Sequence, residues 1–234
     1  ETVQWKTQYF LTVNSDRGNP QGEGWYDEGA TAQFSVDNQV TVENETKYEF
    51  NSWTGNGSGS YNGSNNPATV VMNNPIQESA NWQVTEYYLQ TSVNPSNGGT
   101  ITPAPPGQWV TAGSSVQVSA NANADYEFVE WSGDLSGTEN PTSITMNEAK
   151  NVAANFGKQV DITVTSSPTG RTIIVDGQQY TAPQTFSWLS NTTHTIDVPS
   201  PQNITEGERY SFSSWSDGGA KSHEIEISEE SRTY

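Results

Sequence analysis

No cysteine occurs in the 234 residues, so no disulfide framework, cysteine metal site or thiol nucleophile exists, and stability must come from packing. Basic residues are scarce, nine against 27 acidic ones, and the formal net charge is −18. No basic patch is available to neutralise phosphates, which argues against nucleic acid and anionic membrane surfaces as partners. The acidic excess is spread evenly along the chain, and its plainest effect is solubility. No apolar run approaches the ~18 residues of a membrane span, so no membrane insertion is expected in this segment. Helical periodicity is missing as well.

What the chain does have is short alternating or β-branched runs, such as Tyr9-Phe10-Leu11-Thr12-Val13, Ala32-Gln33-Phe34-Ser35-Val36, Val116-Gln117-Val118 and Thr195-Ile196-Asp197-Val198. Turn residues separate them, as in Asn97-Gly98-Gly99 and Pro105-Pro106-Gly107. Asp176-Gly177, between Ile173-Ile174-Val175 and Tyr180, predicts a tight hairpin. The reading is all-β, with about six short strands per module.

The modules are visible because one motif returns three times. It reads Tyr48-Glu49-Phe50-Asn51-Ser52-Trp53, Tyr126-Glu127-Phe128-Val129-Glu130-Trp131 and Tyr210-Ser211-Phe212-Ser213-Ser214-Trp215, each followed by a glycine turn. The tryptophans are 78 and 84 residues apart, which makes the chain an array. Other positions repeat in step: a tryptophan before a glycine (Trp25, Trp109, with Trp188 in a similar place), an alternating pair (Val70/Met72, Ile144/Met146, Ile225/Ile227) and a closing aromatic (Trp82, Phe156). The boundaries are 7–85, 86–158 and 159–234. Residues 1–6 read as the closing strand of a preceding module, with Trp5 as its aromatic. The third module's closing position would fall at 237, so its last strand is expected to be cut short. Joints without Gly/Ser spacers predict a stiff, elongated rod.

Tyr48, Phe50, Trp53, Tyr126, Phe128, Trp131, Tyr210, Phe212 and Trp215 are expected to form the cores, since a position filled alike in every copy is a packing position. Strict strand alternation would put Tyr126 and Phe128 on one face and Trp131 on the other, so a bulge or two-sided burial is required. Seven of the eight tryptophans, Trp25 among them, fall on repeated positions and read as core. Tyr26, Tyr61, Tyr87 and Trp188, in or beside variable loops, are the better sugar-stacking candidates.

Catalytic chemistry finds no footing. His194 and His223 sit in alternating strand patterns without a clear partner, no Ser–His–Asp set or phosphate-binding glycine loop can be drawn, and no catalytic, cofactor or metal residue is assigned. Calcium is the one ion with some support, from oxygen ligands at Asp27-Glu28, Glu43/Glu45, Asp134 and Glu206/Glu208. Against it, no D-x-D-x-D-G spacing occurs, and Glu224/Glu226 alternate as solvent-facing strand residues do. Glycosylation sequons occur at Asn44, Asn56, Asn62, Asn191 and Asn203.

Gly22-Glu23-Gly24-Trp25-Tyr26-Asp27-Glu28-Gly29, Trp131-Ser132-Gly133-Asp134, Asn140-Pro141-Thr142-Ser143-Ile144-Thr145-Met146 and Ala154-Asn155-Phe156 resemble the divergent internalin-type B-repeat (Listeria–Bacteroides repeat) family. The resemblance covers the first two modules. The third resembles a variant form, with an added hairpin around Asp176-Gly177 and Trp215-Ser216-Asp217-Gly218-Gly219-Ala220 as its turn. It implies small β-rich, sometimes β-grasp-like modules of prokaryotic surface and secreted proteins, acting in spacing or adhesion and without catalytic residues. The expected function is therefore a non-catalytic extracellular spacer, stalk or adhesive region. The alternative is a carbohydrate-binding accessory region of a secreted hydrolase. The expected partners are surface polysaccharide or a second copy, by addition of the Thr2–Trp5 strand to the open edge of the third module.

Overall fold

The computed structural model describes residues 1–42 and 45–234. Glu43 and the sequon at Asn44 lie outside the described residues. No helix occurs among them; every regular element is a strand. The first module holds β1 (Gln8–Asn14), β2 (Gly24–Asp27), β3 (Thr31–Phe34), β4 (Gln39–Val42), β5 (Thr46–Asn56), β6 (Ala68–Val71) and the start of the long β7 (Ile76–Asn94). The second continues from β7 through β8 (Gly99–Thr102), β9 (Gly107–Thr111), β10 (Ser115–Ala122), β11 (Tyr126–Gly133), β12 (Thr142–Thr145) and into β13 (Lys150–Val164). The third adds β14 (Thr172–Val175), β15 (Gln178–Thr181), β16 (Gln184–Leu189), β17 (Thr193–Asp197), β18 (Gln202–Thr205), β19 (Glu208–Tyr210), β20 (His223–Glu226) and β21 (Arg232–Thr233). β7 and β13 each close one module and open the next without a break. Residues 1–7 carry no strand, and Trp5 is 89% exposed.

The chain divides into two compact units, one of residues 1–90, 106–118 and 142–152, the other of residues 91–105, 119–141 and 153–234. In the first, β1 pairs antiparallel with β2 (Phe10↔Trp25) and parallel with β7 (Leu11↔Ile76). β5 lies antiparallel on β7, from Thr46↔Tyr87 to Asn56↔Gln77, and β3 pairs with β6. Alternation sends Leu11, Val13, Ala32, Phe34, Ala68 and Val70 inward from their strands, around Trp53, Met72 and Ile76.

Of the two solutions open to the tryptophan motif, a bulge or two-sided burial, the first module takes the bulge. The β5–β7 register slips between Phe50 and Ser52, which leaves Asn51 as the extra residue. Phe50 and Trp53 thereby come to one side, their ring centres 5.3 Å apart, with Phe34 edge-on to Trp53 at 4.7 Å. Each such ring pair adds about 0.5–1.5 kcal/mol beyond the area it buries.

In the second unit β13 has the same two kinds of neighbour, antiparallel β16 (Ile162↔Phe186) and parallel β21 (Ile162↔Arg232). β14, β15, β17 and β20 form a four-stranded sheet over them, and the core gathers Ile162, Val164, Ile173, Ile196, Trp215 and Ile225. Asp176 and Gly177 turn the β14–β15 hairpin with φ of 48° and 79°, the left-handed pair that such a two-residue turn demands. β21 runs along β13 as β7 runs along β1, with Ile162↔Arg232 matching Leu11↔Ile76, so Tyr234 falls at the place of Glu78 and Val152 and not at that of Trp82 and Phe156; its ring joins the core.

Candidate functional site: a cleft in the third module

The three motif tryptophans are buried, and the phenylalanines beside them are half-buried. The tyrosines that open the motif behave differently: each receives a residue from the turn that follows its module's opening strand. The Arg17 guanidinium lies 3.9 Å over the Tyr48 ring, Asn97 donates its amide to the Tyr126 hydroxyl at 3.0 Å, and Arg171 lies 5.3 Å from the Tyr210 ring centre. Tyr210, expected in the core, is 40% exposed. It ends the short β18–β19 hairpin, whose register is broken between Asn203 and Thr205.

The closing aromatic decides what lies beneath that turn. In the first module the turn's Gly18 sits so close to the Trp82 indole that a Cβ there would run into the ring, and the Trp82 Nε1 donates to Ser15 at 3.1 Å. In the second, a Cβ at Gly98 would meet Phe156 at 2.7 Å. In the third, a Cβ at Gly170 would meet nothing within 4 Å, and Ser166, Arg171, Phe212 and Trp215, the counterparts of the residues around Trp82, line a cleft of about 470 Å³ together with Tyr234.

Several contacts hold the cleft walls. Ser166 receives the Arg171 amide at 3.4 Å, and the Gln202 side chain exchanges two 2.9 Å bonds with the Thr172 backbone. Ser200 accepts the Phe212 amide at 2.8 Å, and the Trp215 Nε1 donates to the Lys221 carbonyl at 3.0 Å. Tyr234 is pinned on both sides, its amide to Thr163 and its carbonyl to Thr165, each at 2.9 Å. A second arginine, Arg232, lies 4.7 Å over the Tyr234 ring. The lining combines aromatic faces, serine hydroxyls and one guanidinium.

Two segments, residues 9–86 and 89–160, match the model of the divergent InlB B-repeat domain, well over half of the chain. The chain belongs to that family. The matched segments follow the first two repeats, whereas the third, which holds the cleft, lies almost wholly outside them. Among solved structures the chain is similar to the Bacillus anthracis TIE protein, at 11% identity over 90% of this chain and 44% of that one. The TM-score is 0.20, too slight a likeness to carry fold or function across. This chain thus spans under half the length of that protein. No curated protein matches it.

The remaining candidates of this B-repeat chain fall into place by contact. His194 is stacked on Trp188 at 3.8 Å and held by Asp176 at 2.7 Å, and Phe186 stacks on the other part of the same ladder. His223 is held by the Ala220 carbonyl at 2.7 Å and Asp217 at 2.9 Å, and the Gly219 amide, with His223 after it, keeps the Asp217 carboxyl below its usual range. Both histidines therefore have the partners that strand patterns alone did not reveal. The four sugar-stacking candidates are all half-buried. Tyr61 packs on Phe34 at 6.4 Å, Tyr26 donates to the Gly22 carbonyl, Tyr87 lies in the β7–β9 pairing, and Trp188 is within the stack just described. Trp25, expected in the core, is 67% exposed with only Phe10 edge-on to it, because β2 is an edge strand. Its counterpart Trp109 is covered by Lys47 at 4.3 Å.

Of the oxygen clusters, Asp27 accepts from Gln8 and Lys6, which hold its carboxyl below the usual range, and Glu206 and Glu208 flank the β18–β19 turn. No three acidic or histidine side chains among the described residues are grouped to hold a metal. Asn56, Asn62, Asn191 and Asn203 are exposed.

One buried group was not foreseen. Glu78 is fully buried on β7 at the position that Val152 holds on β13. One of its oxygens accepts the Tyr61 amide at 2.7 Å and the other has no partner; burial pushes the carboxyl up, with that amide pulling partly against it. Aligning Ile76-Gln77-Glu78 with Lys150-Asn151-Val152 is the signal that finds it.

Proposed function

We propose that the chain is a non-catalytic extracellular repeat region, whose modules space or attach a protein at a prokaryotic surface. The observation that carries this reading is the repetition itself. Three modules bury the same motif tryptophan in their cores. The family is generally non-catalytic and surface-associated, which supports the same reading. Repeat arrays act through surface and reach rather than through one reaction centre. Antibody against this chain, applied to intact and to lysed cells of the host, tests it. Labelling of intact cells is expected, and labelling only after lysis would overturn it.

A further inference from the structure

We infer that the first module is a mechanical clamp: tension along the chain loads its opening and closing strands in shear, so the module resists being pulled open end to end. The use of such a clamp rests on the spacer reading, since a chain that holds something at a surface is put under tension.

Three observations carry this. First, the strands through which a pull enters and leaves the module are direct neighbours and run the same way. β1 and β7 pair in parallel over Leu11↔Ile76, Thr12↔Gln77, Val13↔Glu78 and Asn14↔Ser79. Tension draws β1 back from its N-terminal end and β7 forward from its C-terminal end, so the two must slide past each other. The bonds between them lie across the direction of sliding and have to yield together. In an antiparallel hairpin pulled by its two ends, the bonds open one after another.

Second, the clamp is embedded. On its other side β1 is paired with β2 up to Leu11↔Gly24, and beyond that the Glu23 carboxylate accepts the Val13 amide at 3.2 Å. β7 is flanked by β5, whose pairing runs from Thr46↔Tyr87 to Asn56↔Gln77. Neither clamp strand is an edge that tension could strip away alone. Leu11, Val13, Ile76 and Glu78, opposite each other in the register, are all buried. Water is thereby kept from bonds that begin to loosen, and each bond is stronger in these dry surroundings. No cysteine is present, so no disulfide shares the load.

Third, the pull reaches the clamp without slack. β7 is one strand from Ile76 to Asn94, and its exit half is held in turn by β9, from Glu86↔Thr111 to Gln90↔Gly107. A Gly/Ser-rich joint would stretch before the strands felt a load, whereas a continuous strand passes it on at once. The parallel pairing also recurs between β13 and β21, with Ile162↔Arg232, so it belongs to the template and not to one copy.

The test pulls the 234-residue chain in an optical trap through introduced cysteine pairs, each unique because the chain has no cysteine of its own. Thr2→Cys with Ser96→Cys sets the handles before β1 and after β7, which loads the clamp in shear. Thr2→Cys with Asn74→Cys sets both handles at one end of the same strand pair, which peels it open. All three positions are exposed. At one loading rate the shear pair is expected to rupture at roughly twice the force of the peeling pair or more, in a single step. Equal forces in the two directions, or a lower force in shear, would overturn the clamp, and so would gradual extension of the shear pair without a rupture. Melts followed by circular dichroism establish that the two variants are equally stable. Where one melts early, Gln90→Cys replaces Ser96→Cys and Asn73→Cys replaces Asn74→Cys, and the same outcomes decide. Surface labelling fails or succeeds separately: unlabelled intact cells with a strong clamp remove the spacer reading alone, and labelled cells with equal forces remove the clamp alone.

Discussion

In the first module the turn after the opening strand is closed on a tryptophan; in the third no residue of the 234 stands at the place of that ring. Both turns carry an arginine against the motif tyrosine, and both are fixed by a serine, Ser15 or Ser166, bonded back to the turn. The difference lies under them. Trp82 fills the first module to the point where its turn tolerates only glycine, whereas a Cβ at Gly170 would meet nothing within 4 Å. The register of β21 on β13 gives Tyr234 the place of Glu78, so it does not stand in for Trp82. The lesson is that strand register, and not the mere presence of an aromatic residue, says which template position a residue fills.

Removing the motif tryptophan tests how differently the two modules are packed. Trp53→Ala is expected to cost about 3–5 kcal/mol, because its ring is held by Phe34 and Phe50 at 4.7 and 5.3 Å. Trp215→Ala should fall at the lower end of that span, since its ring neighbours stand at 6.2 and 6.0 Å and the cleft lies beside it. Hydrogen exchange of each module's own strands reads the two losses separately, and equal losses would break the comparison.

The turn glycines give the sharpest contrast. Gly18→Ala must accept both a left-handed φ of 75° and a clash with the Trp82 ring, a loss of about 2–4 kcal/mol. Gly170→Ala, with φ of 80° and open space, is expected to lose only the backbone share, about 1–2 kcal/mol. Thermal melts of the two variants that coincide would mean that the third turn is closed in solution.

Glu78 separates the first module from the second. Its folded carboxyl is raised by burial, so the folded state binds the proton more tightly than the unfolded chain. That contribution is complete below the ordinary glutamate range and is lost as pH rises through the raised folded value. Glu78→Val, which installs the residue found at 152, should stabilise the first module at pH 7 by about 1–3 kcal/mol and remove this loss. Denaturant titrations at pH 4 and pH 7 check it: an unchanged pH dependence in the variant would assign the effect elsewhere.

The smallest effect is expected at the exposed tyrosine. Tyr210→Ala should change stability by no more than about 0.5 kcal/mol, whereas Tyr48→Ala, half-buried beneath Arg17, should cost about 1–2 kcal/mol. A large loss at Tyr210, read in the same melts, would return it to the core.

The sequence by itself determined the all-β class, the repeat, the tryptophans that anchor each core and the hairpin at Asp176-Gly177. These are legible because they rest on local alternation, on turn residues that alone tolerate positive φ, and on comparison of one copy with the next. The parity of spacing in the Tyr-x-Phe motif required a bulge or two-sided burial, and the register of the first module decided for the bulge. Only the tertiary structure decided that Tyr210 and Trp25 face solvent, that Tyr234 takes the place of Glu78 beside β13, and that the two histidines are held by Asp176 and Asp217. Which ring lies beneath a turn belongs to the same class, because Gly18 and Trp82 are far apart in the chain and no local pattern links them. Composition and periodicity say which side chains are available to pack; the room left over is a property of the assembled chain.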